Sequence, residues 1–199
     1  MESMKILLVA AEMAPLAQVG GLGDVVGSLP GALVARGHDV RVLIPAYQQN
    51  LTRDLETRVR LGTGQGRIVE TNQSNLPCPV WLLETPAFLR RRGRPYVNKA
   101  GTPWADNADE FGTLSRTAAS IASGTLGMGW QPDIVHCNDW HTGLTPIWMG
   151  LEGRQRHRYS PFTTPPIPGA IHRRRSSGLG FPITFIIPML WSSTGAFRC

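Results

Sequence analysis

The chain has 199 residues, enough for one large or two small domains, and its 42% hydrophobic content is ordinary for a globular protein with a sizeable core. Its formal net charge of +6 points to nucleic acid only until it is located: residues 1–150 carry 13 basic and 13 acidic side chains, and residues 151–199 carry seven arginines against Glu152. Three scattered cysteines, Cys78, Cys137 and Cys199, argue against a disulfide framework or a paired zinc site, and no apolar run reaches the roughly 18 residues that a membrane span needs.

The N-terminus carries Glu2 and a short apolar run where a signal peptide would need a basic segment and a longer apolar one, so the expected location is cytoplasmic and reducing. Ile6, Leu7, Leu8, Val9 and Ala10 form that run, which suits a parallel strand buried on both faces. The loop Pro15 to Asp24 leaves its C-terminal end. Adjacent Gly20 and Gly21 let backbone approach a ligand closely, and the helix beginning there offers unpaired N–H groups to an anion. A G-x-G-x-x-G dinucleotide fingerprint is not met, because Gly20 comes late after the strand.

Leu22, Val25, Val26, Leu29 and Leu33 fall on one helical face, with Gly37 placed for a left-handed cap. Pro30 should kink this helix, unless Ser28 caps a new start. Val40 to Ile44 reads as a second strand, completing a βαβ unit. Residues 57–84 suggest short, partly antiparallel strands at 58–61, 68–69 and 80–83. From Thr85 to Trp104 the pattern dissolves, and Arg90-Arg91-Arg92 reads as a solvated loop. Asp106 to Glu110 opens the best helix, with Phe111, Leu114, Ala118, Ile121, Ala122 and Leu126 on one face and glycines 124, 127 and 129 fraying its end.

Pro132 to Gly143 is the second informative stretch. Ile134 and Val135 suit a buried strand, and Asn138 or Asp139 can cap a helical turn near Trp140. His141 should then lie on the same sheet edge as the glycine loop, where two loops can converge on one ligand. His136, Cys137, Asp139 and His141 invite a metal reading. On a strand, however, His136 and Cys137 point to opposite faces, so no metal is expected.

The stretch Gly20-Gly21-Leu22-Gly23-Asp24-Val25 resembles the K-x-G-G-L-x-D-V signature of bacterial glycogen synthases and plant starch synthases. Asp139-Trp140-His141-Thr142-Gly143 resembles their D-W-H-x-G motif. Asp106-Asn107-Ala108 with Phe111, and Leu114-Ser115-Arg116, are similar too. The resemblance covers roughly residues 4–149. It implies an α/β fold, a Rossmann-like parallel sheet with flanking helices forming the N-terminal half of a GT-B glycosyltransferase, with a small antiparallel insert and an irregular C-terminal tail. It also implies glucose transfer from ADP-glucose or UDP-glucose to the non-reducing end of an α-1,4-glucan. The nucleotide-sugar is a substrate, and no cofactor is implied.

The same resemblance implies roles for particular residues. Gly20 and Gly21 would present N–H groups to the diphosphate or sugar, and Asp24 would orient the loop or a sugar hydroxyl. Gln18 stands where the family has a lysine that meets phosphate. Tyr96 would line the acceptor side, where a flat ring can stack on a sugar. His141 would hold the glucose hydroxyls, since a neutral imidazole both donates and accepts. Asp139 would cap more than catalyse.

Residues 1–150 are thus expected to form the synthase-type domain. Residues 151–199 form a basic, proline-rich tail that is expected to be poorly ordered or frameshifted, and the chain a truncated, inactive fragment. Sequencing the locus checks the frame: one inserted or deleted base near codon 150 is the expected finding, and an intact, transcribed frame refutes it. Two other classes stand beside this reading. One is a non-catalytic carbohydrate- or nucleotide-binding remnant. The other is nucleic-acid binding through the arginine tail, which lacks interleaved aromatic platforms and is not expected.

Overall fold

A computed structural model describes residues 2–47, 59–60, 66–71, 75–92, 94–151 and 158–159. Its elements are β1 (Lys5–Val9), α1 (Gly21–Val34), β2 (Asp39–Pro45), β3 (Val59–Arg60), β4 (Arg67–Thr71), β5 (Val80–Glu84), α2 (Pro86–Arg90), α3 (Asn107–Ser123), β6 (Ile134–Cys137), α4 (Thr145–Leu151) and β7 (Arg158–Tyr159). The strands form one sheet in the order β3-β4-β5-β2-β1-β6-β7. β5, β2, β1, β6 and β7 run parallel, while β4 pairs antiparallel with β5 and β3 antiparallel with β4. This is the expected parallel α/β sheet with a small antiparallel extension. The irregular tail lies outside the described residues apart from β7, which pairs with Ile134 and Val135 of β6.

β1 lies inside the sheet and is covered on both faces. Leu7 and Val9 join Leu43, Trp81, Phe111, Leu114, Ala118 and Ile121 in one core, whereas Ile6, Leu8 and Ala10 join Val26, Val42, Ile44 and Leu82 in the other. The period of two along β1 sends alternate side chains to α3 and to α1, which is why its sequence is apolar throughout. The chain passes from β1 to β2 on one side and returns to β6 on the other. The loops after β1 and β6 therefore diverge at one sheet edge and leave a crevice between them.

α1 runs through Pro30 as one helix, so the alternative restart at Ser28 is not seen. Pro30 is buried there, and the Ser28 hydroxyl donates back to the Asp24 and Val25 carbonyls instead of capping a new helix. A Cβ on Gly27 would lie 2.9 Å from the Ala14 carbonyl oxygen, so this glycine lets α1 pack directly on the loop that follows β1. α3 ends sharply where fraying was expected. Gly124 adopts φ +73 and its N–H reaches the Ile121 and Ser120 carbonyls, a left-handed cap that side chains rarely tolerate.

The segment after β5 also corrects the sequence reading. Thr85 caps α2 by accepting from the Phe88 N–H at 3.0 Å, with Pro86 in the first turn. Arg91 is buried, not solvated. Its guanidinium donates to the Pro95 carbonyl at 2.6 Å, to Asn107 at 2.9 Å and to Asp106 at 2.8 Å, over the rings of Phe88 and Phe111. It ties this segment to the start of α3. Arg91→Met is expected to lower stability by about 2–3 kcal/mol, discounted because Asp106 keeps contact with solvent. Arg90→Met should change it by less than about 0.5 kcal/mol, since that side chain is 67% exposed and its ion pair is long. Urea unfolding midpoints of the two variants check this contrast.

Candidate functional site

The loop after β1 is held at both ends. Met13 and Ala17 exchange backbone hydrogen bonds at 2.9 Å, and the Ala14 N–H donates to the Gly23 carbonyl at 3.0 Å. Between them sits Glu12, a carboxylate with 2% exposure at the end of an apolar strand. One of its oxygens accepts from the Val19 N–H and from the Gly20 N–H at 3.2 Å; the other accepts from the Tyr96 hydroxyl. The Gly20 N–H, expected to face a ligand, is therefore engaged by Glu12. Gly21 opens α1, and a Cβ on either glycine would meet nothing within 4 Å, so both face open space.

Gln18 and Asp24 pair with each other across the same loop, the Gln18 amide donating to the Asp24 carboxylate at 2.6 Å. The Gln18 side chain lies over Gly23, where a Cβ would come within 2.9 Å of it. The loop thus carries two carboxylates, Glu12 and Asp24, and a neutral amide where the resemblance calls for a cation.

The loop after β6 is anchored by Asn138. Its backbone N–H and its side-chain amide both donate to the Val9 carbonyl, stitching the end of β6 to the end of β1. Asp139 adopts φ +66, an uncommon region for a side-chain-bearing residue, and its carboxylate accepts from the Trp140 N–H at 2.6 Å. It caps the short 3₁₀ turn Trp140–Thr142. His136 and Cys137 project to opposite faces: Cys137 packs against the core that contains Leu7 and Val9, while His136 stands beside Leu8 in the register.

His141 is the centre of the arrangement. The residue is 4% exposed, and its ring stacks on Tyr96 at 4.7 Å and 25°. Phe111 approaches its edge at 4.6 Å and Trp140 lies at 4.0 Å. Neither ring nitrogen has a hydrogen-bond partner among the described residues, and the nearest carboxylate, Asp139, stands 3.8 Å from Nδ1. Burial lowers its pKa to about 3, so at neutral pH it is an uncharged imidazole with one donor and one acceptor unspent. Two unsatisfied polar atoms in a buried aromatic setting are costly unless a ligand completes them.

The structure therefore joins four of the seven residues singled out in the sequence, Gly20, Tyr96, His141 and Asp139, through Glu12, which was not. Val19 and Gly20 connect to Glu12, Glu12 to Tyr96, Tyr96 to His141, and His141 to Asp139, with Gln18, Gly21 and Asp24 along the loop's rim. Tyr96 presents one ring face to His141, a placement that spacing alone does not reveal. Glu12 was missed although it has a signal, a lone acid in the apolar stretch Ala10-Ala11-Glu12-Met13-Ala14. Phe111 was read as core only, and it is also a wall of the histidine's pocket.

A family model described as the starch synthase catalytic domain matches residues 5–173, reaching past the end of the motif resemblance near 149. The chain is 46% identical over 153 residues to glycogen synthase 1 of Methylococcus capsulatus, covering 75% of this chain and 31% of that protein. It is 40% identical over 185 residues to the glycogen synthase of Rhodospirillum rubrum, covering 90% of this chain and 36% of that one. Among solved structures it resembles the catalytic domain of starch synthase IV from Arabidopsis thaliana bound to ADP and acarbose, with TM-score 0.61 and 31% identity over 80% of this chain and 34% of that chain. The chain spans about a third of the length of these relatives. With the sheet order of a GT-B N-terminal half and both motif loops on one edge, the chain belongs to the glycogen and starch synthase family of glycosyltransferases.

Proposed function

We propose that this chain is the acceptor-side part of a retaining glucosyltransferase that moves glucose from ADP-glucose or UDP-glucose to the non-reducing end of an α-1,4-glucan, and that by itself it binds glucan without turnover. The observation that carries the reading is the buried, neutral His141 with both ring nitrogens unpaired at the edge where the glycine loop ends. Such a group suits sugar hydroxyls, which accept and donate alike, and among the described residues no group of three or more His, Cys, Asp or Glu stands together to hold a metal. The ADP and acarbose held by the solved Arabidopsis relative are a nucleotide and a saccharide, in keeping with donor and acceptor sites in one cleft. Among the described residues no helix is long and apolar enough to cross a membrane. We place the protein in the cytoplasm, without cofactor or metal, and with no nucleic-acid partner.

In this reading His141 holds the transferred glucose, Tyr96 supports it, and Gly20 and Gly21 leave room for the donor. Asp24 orients the loop, and Asp139 sets the turn that presents His141. Positioning and charge stabilisation carry such a reaction, since the departing phosphate oxygen can itself assist the attacking hydroxyl. Titration of the purified chain with maltoheptaose tests it, and His141→Ala should abolish the binding. Absence of binding by the native chain would refute the reading.

Residue 18 gives a second test. A neutral amide contributes about 1 kcal/mol to a phosphate contact, against roughly 1.5–3 for a charge-assisted bond. Gln18→Lys is expected to tighten ADP-glucose binding several-fold in a chimera carrying a family second domain. The gain is held down by Asp24, which pairs with residue 18 and would share the new charge. Unchanged affinity by calorimetry would mean that residue 18 does not face phosphate.

A further inference from the structure

We propose that Glu12 is a positioning residue that locks the glycine loop and the Tyr96–His141 stack into one unit. Three observations carry this. Its backbone is rigid, because the Tyr47 hydroxyl donates to the Ala11 carbonyl at 2.9 Å and Ala10, Ala11 and Met13 are fully buried. Its carboxylate accepts three hydrogen bonds from two directions, the Val19 and Gly20 N–H groups on one oxygen and the Tyr96 hydroxyl on the other. And the Tyr96 ring is the one that covers His141.

The consequences follow from the chemistry of the contacts. A carboxylate at the start of α1 satisfies donors that would otherwise seek an anion, so the loop is already organised before any ligand arrives. Tyr96 stays protonated, its pKa raised by burial first and then by the bond to Glu12, and so remains a donor. Its ring is thereby held flat against the imidazole, keeping water from His141. A side chain 84 residues away in sequence is placed by one buried acid, and the two motif loops respond to each other through it.

The proposal rests on the reading of His141 as a ligand group, but its first test does not. In the unliganded chain, histidine ring signals followed by NMR should show His141 unprotonated throughout the acid range in which circular dichroism stays native. In Glu12→Ala, Tyr96 loses its tether, water reaches the imidazole, and the protonation midpoint should rise by about one pH unit or more. Of the groups that face this ring, Asp139 is unchanged, Tyr96 stays neutral, and loss of the Glu12 charge would by itself push the midpoint lower. A rise in the pH range where circular dichroism of the variant stays native therefore reports solvent entry. Glu12→Gln should restore the native behaviour, since its oxygen still accepts from Val19 and Gly20 and its amide can donate to the Tyr96 oxygen.

Tyr96→Phe keeps the ring and removes only the hydroxyl, so it should shift the midpoint the same way by a smaller amount; it decides the matter if Glu12→Ala does not fold. Native midpoints in both variants, with native circular dichroism, would overturn the proposal, as would a Glu12→Gln variant as altered as Glu12→Ala. In the second arm, maltoheptaose affinity should fall about tenfold in Glu12→Ala but much less when the same change is made in a Tyr96→Phe background. Equal losses in the two backgrounds would overturn the link through Tyr96. If the native chain binds no maltoheptaose, the glucosyltransferase reading falls while the histidine titration still decides the role of Glu12.

Discussion

Lowering the pH from 7 to 5 is expected to cost the folded chain roughly 4 kcal/mol, carried by two buried histidines. Burial lowers the pKa of His141 to about 3 and that of His136 to about 4, against 6.5 in the unfolded chain. Both values are depressed on folding, so the stability they contribute is complete above the unfolded value and is lost as pH falls from there towards the folded values. At pH 5 the unfolded chain has bound a proton at each site and the folded chain at neither. Each site then favours unfolding by about 2 kcal/mol, at 1.36 kcal/mol for each pH unit below 6.5. Against a typical total of about 5–15 kcal/mol, this is a large fraction.

Urea unfolding at pH 7 and pH 5 measures the effect directly. His141→Phe fits an aromatic pocket already formed by Tyr96, Phe111 and Trp140, and it should cut the pH-dependent loss by about half. An unchanged loss in that variant would place the acid sensitivity elsewhere. The same variant separates stability from ligand binding, because phenylalanine restores the packing without the two nitrogens.

Much of the fold was legible because it rests on local periodicity. The run at residues 6–10, the helical faces of α1 and α3 and the short strand at 134–135 each declare their burial within a few residues, and the βαβ unit follows from handed connections between them. Where the reading failed, the deciding contact was distant or context-dependent. Arg91 sits in a run of three arginines, and nothing local distinguishes it from Arg90 or Arg92; its burial depends on Asp106 and Asn107, 15 and 16 residues on. Pro30 was expected to kink α1 or to fall in the first turn of a new helix capped by Ser28, and no new helix starts there because α1 continues through Pro30, which lies on its buried face. The motif loops were legible as motifs, but not the joint between them. Glu12 and Tyr96 meet only because β1 and the segment before α3 fold onto the same edge of the sheet.

No glucose incorporation into glycogen is expected from the purified chain alone, in contrast to measurable incorporation when a family second domain completes the cleft. In the proposed reading the chain supplies one wall: the glycine loop, His141 and its aromatic surround. That wall is electrically ill-suited to a diphosphate by itself. Glu12 and Asp24 are both acidic, Gln18 is neutral and already bonded to Asp24, and the Gly20 N–H is occupied by Glu12. In the proposed reaction the charge that develops on a departing nucleotide would have to be met by groups other than these loop residues. Since loss of one preorganised donor costs about 100- to 1000-fold in rate, a site without such contacts to the leaving group is expected to show no measurable turnover. Neutral saccharide is affected far less, because its hydroxyls need only the imidazole and flat apolar faces that this wall retains. The decisive comparison is radiolabelled glucose transfer by the chain with and without the added domain, beside maltoheptaose binding by the chain alone. Robust transfer by the chain alone would show that it forms a complete site, and would overturn its assignment as half of a cleft.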